Sequence, residues 1–350
     1  MKKTLFAIGA MVAMVACSND FVVKEAAQEA IGFDNAFVDN STRSVVDPSF
    51  KADNMFADFQ VYGYVEGAPL FDQANTGVKV TKSGNAWTYD GTKYWIKDAN
   101  YNFNAVAPAT NGNWTKENAT ATQTTLSFEN NGTTDLLYAT ATAVGQESGE
   151  NDPVAFTFRH TLSKVKFSFK NAYNASNSSI CVRGIQITNA DATAVATLTA
   201  GTAWSDYNGE EAIAFGNATT VEDYSVEDDV NNSNKYDFEF ERIVESYFER
   251  FVIPAQKDWN ITFIVDLLVN GQVIKTYGHE IVLTNAKFEP GKSYDLLAEI
   301  DHTNIDPATS QDAIEFTVTE ITDWDNDHDG KENTPAGDTD GDNQVDTELN

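Results

Sequence analysis

The sequence predicts an all-β protein of two antiparallel β-sandwich domains, and three observations carry that expectation. After residue 30 the apolar residues recur at a period of two and not 3.6. Gly, Asn, Asp and Pro punctuate these runs at short intervals. No later stretch holds a helical apolar stripe longer than about three turns. At 350 residues the chain exceeds one ordinary domain of roughly 100–200 residues, so two are expected.

The chain opens on Lys2 and Lys3, followed by an apolar run from Leu5 to Ala16. A charged start and a run of this length read as an export signal over residues 1–16. The run is too short to cross a bilayer, which takes about 20 residues. It ends in Met14-Val15-Ala16-Cys17, the order of a lipobox, although Met14 is a less usual choice there. Cys17 is then the lipidation site, taking a diacylglycerol on its thiol before cleavage on its N-terminal side. The alternative is an ordinary cleaved signal with a coincidental Cys. Two or three acyl chains hold firmly, since each buried CH₂ contributes ~0.8 kcal/mol. Residues 18–30 form a polar, Ala- and Glu-rich spacer.

Strand readings follow in order. Phe59, Val61, Gly63 and Val65 alternate with Gln60, Tyr62 and Tyr64, and Val154, Phe156 and Phe158 with Ala155, Thr157 and Arg159. Val165, Phe167 and Phe169 are separated by Lys164, Lys166, Ser168 and Lys170, which predicts one apolar and one wet face. The step from Leu162 to Val165 breaks phase and suggests a bulge or a bend. Asn270-Gly271 between two apolar runs predicts a type I′ hairpin, because both central residues need φ > 0. Pro290-Gly291 predicts a type II turn. The polar, Gly-bearing stretch 145–152, ending at Pro153, is the best boundary. It divides a sandwich over 44–150 from another over 151–324. Residues 208–244, acidic and Asn-rich, read as a long excursion.

Lys+Arg 23 against Asp+Glu 53 gives a net charge of −30, which repels phosphate backbones and argues against nucleic-acid binding. Cations, neutral sugars and protein surfaces remain as partners. Two cysteines supply neither a disulfide framework nor a Cys-based zinc site, and Cys181 sits at a strand position that reads as buried. Four scattered histidines argue against a His-based metalloenzyme, and His160 reads as structural. No G-x-S-x-G, H-E-x-x-H or phosphate-loop pattern occurs, so no enzymatic activity is expected. The six Trp could stack on sugars or fill sandwich cores.

An ordered set of short stretches resembles the fimbrillin family. It begins with Ile31-Gly32-Phe33-Asp34-Asn35-Ala36-Phe37-Val38 and Ser41-Thr42-Arg43, and continues with Phe59-Gln60-Val61-Tyr62-Gly63. Trp87-Thr88-Tyr89, Trp95 and Tyr101-Asn102-Phe103-Asn104-Ala105-Val106-Ala107-Pro108 come next. Phe158-Arg159-His160-Thr161-Leu162-Ser163-Lys164-Val165, Phe288-Glu289-Pro290-Gly291-Lys292-Ser293-Tyr294 and Ile321-Thr322-Asp323-Trp324 close it. The resemblance implies two transthyretin-like sandwiches, a lipoprotein precursor on the outer membrane, and a role in surface fimbriae and adhesion among other fimbrial subunits. It further implies a cut between Arg43 and Ser44, making 17–43 a tether and removable first strand whose slot another subunit's strand fills. Host glycans or proteins are candidate ligands, and a monomeric glycan-binding surface lipoprotein is the alternative. One departure stands out: Ile314, Phe316 and Val318 alternate, Ile321 and Trp324 follow, and apolarity then stops. Either the strand near Phe316 has a double duty, or the subunit accepts a strand without donating one.

The tail over 325–350 is acidic. Asp325, Asp327, Asp329 and Asn333 place oxygen ligands at positions 1, 3, 5 and 9 around Gly330, and Asp338, Asp340, Asp342 and Asp346 repeat the spacing 13 residues later. The pattern resembles thrombospondin type 3 calcium repeats; position 12 is Ala336 or Leu349, so an EF-hand's bidentate Glu is missing. Calcium is the cation it would take, the other reading being a solvated acidic tail.

Overall fold

In the computed structural model, residues 29–38, 56–84, 86–173, 177–215, 236–238, 249–309 and 313–321 are described. They form an all-β, sandwich-like arrangement, with no helix among the described residues. The strands of the first half are β1 (Phe33–Val38), β2 (Asp58–Val65), β3 (Ala68–Pro69), β4 (Val78–Ser83), β5 (Ala86–Thr88), β6 (Asn100–Ala107), β7 (Trp114–Thr120), β8 (Gln123–Glu129), β9 (Leu137–Val144) and β10 (Val154–His160). Those of the second are β11 (Ser163–Asn171), β12 (Ser178–Leu198), β13 (Thr202–Phe215), β14 (Tyr236–Phe238), β15 (Glu249–Val252), β16 (Gln256–Val269), β17 (Gln272–Lys287), β18 (Ser293–Ile300) and β19 (Phe316–Ile321).

The first sheet runs β2-β4-β5-β1-β10-β9-β6, and β6 pairs back onto β2, so these strands close into a ring with β3 appended to β2. Every pairing around it is antiparallel except that of β1 with β10. The inward residues of the alternating strands fill it: Phe59, Val61, Tyr101, Phe103, Phe156 and Phe158 are all buried. A second sheet places β11 between β18 on one side and β14 and β15 on the other, with β19 outside β18. A third runs β17-β16-β12-β8-β7, with β13 also on β12. Together the second and third sheets enclose the second core, in which Phe167, Phe169, Trp259 and Phe263 are buried.

The third sheet joins the two halves of the chain. The 21-residue β12 pairs β16 through Ser178–Ile187 and β8 through Thr193–Leu198. A third core forms where the outer face of the ring, with Tyr62, Tyr64 and Tyr138, meets Leu126 and Phe128 of β8 and Ala194 to Leu198 of β12. Because β10 belongs to the ring and β11 to the second sheet, sheet membership changes between His160 and Ser163. This is the phase break read from the sequence. Of the two readings the bend holds: the chain bends at Leu162, which is buried in the third core, and passes from one sheet to the other, with no bulge inside one strand.

The two faces expected of β11 are seen from Val165 to Lys170, where buried Val165, Phe167 and Phe169 alternate with half-exposed Lys166, Ser168 and Lys170; Lys164 is the correction, since it is buried. Strand β15 runs alongside, and its Glu249 lies 3.6 Å from the Lys164 ammonium, so a long apolar stem is buried with its charge matched. The turns agree with expectation: Asn270 and Gly271 have φ of 51° and 74° between β16 and β17, and Gly291 has φ of 71°.

Candidate functional site

The segment from Glu29 to Val38 occupies the slot between β5 and β10. Its alternation drives its seating: Ile31 and Phe33 are 1% and 4% exposed, and Gly32 between them passes against Pro153. The Phe33 ring stacks on Phe156 at 5.8 Å and meets Tyr89 at 5.3 Å, Phe103 at 6.0 Å and Phe59 at 6.4 Å. Burying such a ring contributes about 1.5–3 kcal/mol, and each well-placed aromatic pair about 0.5–1.5 kcal/mol more.

The backbone is paired on both sides. Ile31 N–H donates to Lys93 O at 2.8 Å, Trp95 N–H to Glu29 O at 2.9 Å, and Val154 N–H to Gly32 O at 2.8 Å. Phe33 faces Trp87 of β5 and Val154 of β10. The register slips between Asp34 and Phe37, after which Phe37 and Val38 face Thr157 and Phe158. The Tyr89 hydroxyl donates to Ile31 O at 2.8 Å.

A carboxylate fixes the start of the segment. Glu29 accepts from the Asn151 side-chain amide at 2.6 Å, Gly149 N–H at 2.8 Å and Asn151 N–H at 3.2 Å. These bonds, the Asn151 amide first, hold its carboxyl below the usual range. The 145–152 loop, read from the sequence as a domain boundary, supplies the catch for the first strand, and the strand beyond it, β10, belongs to the same ring. Sequence reasoning missed Glu29, whose partners lie 120 and 122 residues away with no local signal.

Without β1 the ring would open, leaving the inner edges of β5 and β10 unpaired beside an aromatic cavity. Such an edge with period-two apolar sites is a receptor for an added strand. Late in the chain, β19 pairs only β18 among the described residues. Phe316 turns into the second core, with its ring 5.4 Å from Phe167 and 5.9 Å from both Phe169 and Phe263. From Thr317 to Glu320 the side chains are exposed. The strand near Phe316 is thus seated in its own sheet.

Several predicted positions lie outside the described residues: Cys17, Arg43, Ser44, and the set Asp325, Asp327, Asp329, Asn333, Asp338, Asp340, Asp342 and Asp346. Among the described residues no group of three or more His, Cys, Asp or Glu is arranged to hold a metal. Cys181 is buried in β12 as expected. His160 is buried with Nδ1 2.5 Å from Asp135 Oδ2, tying the end of β10 to the chain just before β9. Trp87, Trp95 and Trp259 are core residues. Trp114 and Trp204 are half-buried, and their indole N–H groups donate to Pro108 O and Thr161 O.

Solved structures similar to the chain include a Bacteroides uniformis protein assigned provisionally to cell adhesion, 16% identical, covering 85% of this chain and 98% of its own with a TM-score of 0.46. A fimbrial assembly protein from Parabacteroides distasonis is 11% identical, covers 84% and 98%, and has a TM-score of 0.41. The fimbrial anchor protein Mfa2 from Porphyromonas gingivalis is 13% identical over the same shares, with a TM-score of 0.39. None of the curated proteins matches the sequence significantly. The sequence profile described as fimbrillin-like matches residues 42–324, most of the chain, and the protein therefore belongs to the fimbrillin-like family.

Proposed function

We propose that this protein is a structural or accessory component of surface fimbriae, working in cell adhesion and joined to a neighbouring subunit by strand addition at the β1 slot. The single observation that carries the reading is the place of β1. It closes the ring, and its removal uncovers two strand edges and the cavity that held Phe33. An incoming strand with apolar residues at alternate positions would restore both the pairing and the packing.

In this reading a cut between Arg43 and Ser44 does two things. It severs the body from acyl chains on Cys17, which hold the precursor to the outer membrane, and it leaves the segment that carries β1 without a covalent link to the body. An uncut copy keeps its lipid and its filled slot, the state of an anchor or a precursor. Seating Phe316 in its own core favours a subunit that accepts a strand without passing one on, at an anchor or tip position. The tail would take calcium through Asp325 to Asn333 and Asp338 to Asp346, at about 10⁻⁴–10⁻³ M since neither loop has a bidentate Glu. Calorimetric titration with calcium, set against Asp325→Ala/Asp338→Ala, tests that part.

Electron microscopy of cell surfaces with antibody to the protein tests the main reading. Label on filaments supports it. A diffuse coat without filaments would instead support the monomeric glycan-binding reading, which the burial or half-burial of all five described Trp disfavours.

A further inference from the structure

The third sheet ends on β17, a strand of 16 residues that pairs only β16 among the described residues. Such an edge offers a row of backbone N–H and C=O groups to another strand. The pairing with β16 runs without a slip from Lys275 to Leu283. Within it, buried Tyr277 and His279 alternate with exposed Thr276, Gly278 and Glu280. Two large apolar residues flank that outer row, Ile274 at 60% and Val282 at 56% exposed.

Gly278 is not explained from within the chain. Its φ is not positive, and among the described residues a Cβ built on it meets nothing within 4 Å. Neither a turn nor crowding therefore calls for glycine here. A glycine inside a strand weakens it, and it often marks a place where another backbone comes close.

The residues around Gly278 are complementary to themselves. Ile274 and Val282 stand four positions to either side of it, and Thr276 and Glu280 two positions to either side. Two β17 strands run antiparallel with Gly278 facing Gly278 set Ile274 opposite Val282 twice and Thr276 opposite Glu280 twice. No like charges then face one another. An axis at Glu280 would set two carboxylates face to face, and an axis at Thr276 would leave Val282 facing the turn at Asn270. Lys275 does not guard the edge, because its ammonium pairs Asp306 at 2.8 Å and lies over the Tyr277 ring.

We propose that two copies of this chain pair through β17, antiparallel about a twofold axis at Gly278, which joins their third sheets into one. The ladder supplies the hydrogen bonds, and the two Ile274–Val282 pairs supply apolar contact on the outer face. A net charge of −30 on each copy opposes the approach, so pairing strengthens as salt screens it. The inference is independent of strand addition, since β17 and the β1 slot belong to different sheets.

Analytical ultracentrifugation of the full chain carrying Cys17→Ser, at rising concentration and salt, tests the pairing against the same chain with Ile274→Lys/Val282→Lys. The expected result is a dimer whose dissociation constant rises at least tenfold in the double variant. Gly278→Cys in the same background then locates the axis. Residues facing across an antiparallel ladder have Cα atoms about 4.5–5.5 Å apart, within reach of a disulfide. Oxidation should link two copies through Gly278→Cys at least threefold faster than through Thr284→Cys, which the axis holds far from its own counterpart. A monomer at every concentration and salt would overturn the proposal. So would equal dimerisation of the parent and the double variant, or equal linking at 278 and 284, either of which would put the contact elsewhere.

Discussion

The first and last described strands, β1 and β19, are similar in length and opposite in circumstance. Strand β1 has a neighbour on each side and sends Phe33 into the middle of an aromatic core. Strand β19 has one neighbour among the described residues, and its alternation ends after Phe316, with Val318 37% exposed. The contrast separates two ways of holding a terminal strand. One is a plug, whose loss opens the structure; the other is a selvedge, whose loss shortens a sheet. Only the plug leaves behind a receptor for another strand.

The largest expected effect follows from the plug. Phe33→Ala removes a ring that meets four others within 6.4 Å, at a cost of about 3–5 kcal/mol. Hydrogen exchange should quicken over β5 and β10 and leave β16 and β18 unchanged. Exchange rising equally in both halves would mean that the third core couples them, and the contrast would fail. Phe316→Ala should act less, at about 3 kcal/mol, because its edge strand can relax outward, and its effect should be confined to β11, β16 and β18.

A smaller effect concerns the catch. The Glu29 carboxyl is held below its ordinary value of 4.5. Its contribution is therefore present above about pH 4.5 and lost as pH falls through the lowered value. Glu29→Gln should speed exchange at residues 29–33 at pH 7, and acidification should narrow the difference between variant and wild type. A difference that widens on acidification would show that the carboxylate is not what holds the segment.

Much of the fold was legible in the sequence because it is written in neighbouring residues. Val154, Phe156 and Phe158 alternate, and all three are buried; Asn270-Gly271 turns as its chemistry requires. The sheet joining the two halves was not legible. It pairs Thr124–Glu129 with Thr193–Leu198, and nothing local in either run names the other. The break at Leu162 was visible, but a bulge and a change of sheet look alike until the partners are known. At the site, Ile31 and Phe33 were marked as part of a first strand only through the family resemblance. Their slot was not legible, since Phe33 meets Val154 121 positions away in a parallel pairing that no hairpin signal announces.

The central claim is that β1 is an exchangeable plug, and one measurement tests it most directly. The protein is cut with an Arg-specific protease, a new N-terminus at Ser44 is verified, and a labelled peptide of residues 29–43 is added. The account predicts slow, saturable entry of one peptide per chain, with a Phe33→Ala peptide entering at least tenfold more weakly. Equal binding of both peptides, or no entry while the cut chain stays folded, would contradict it.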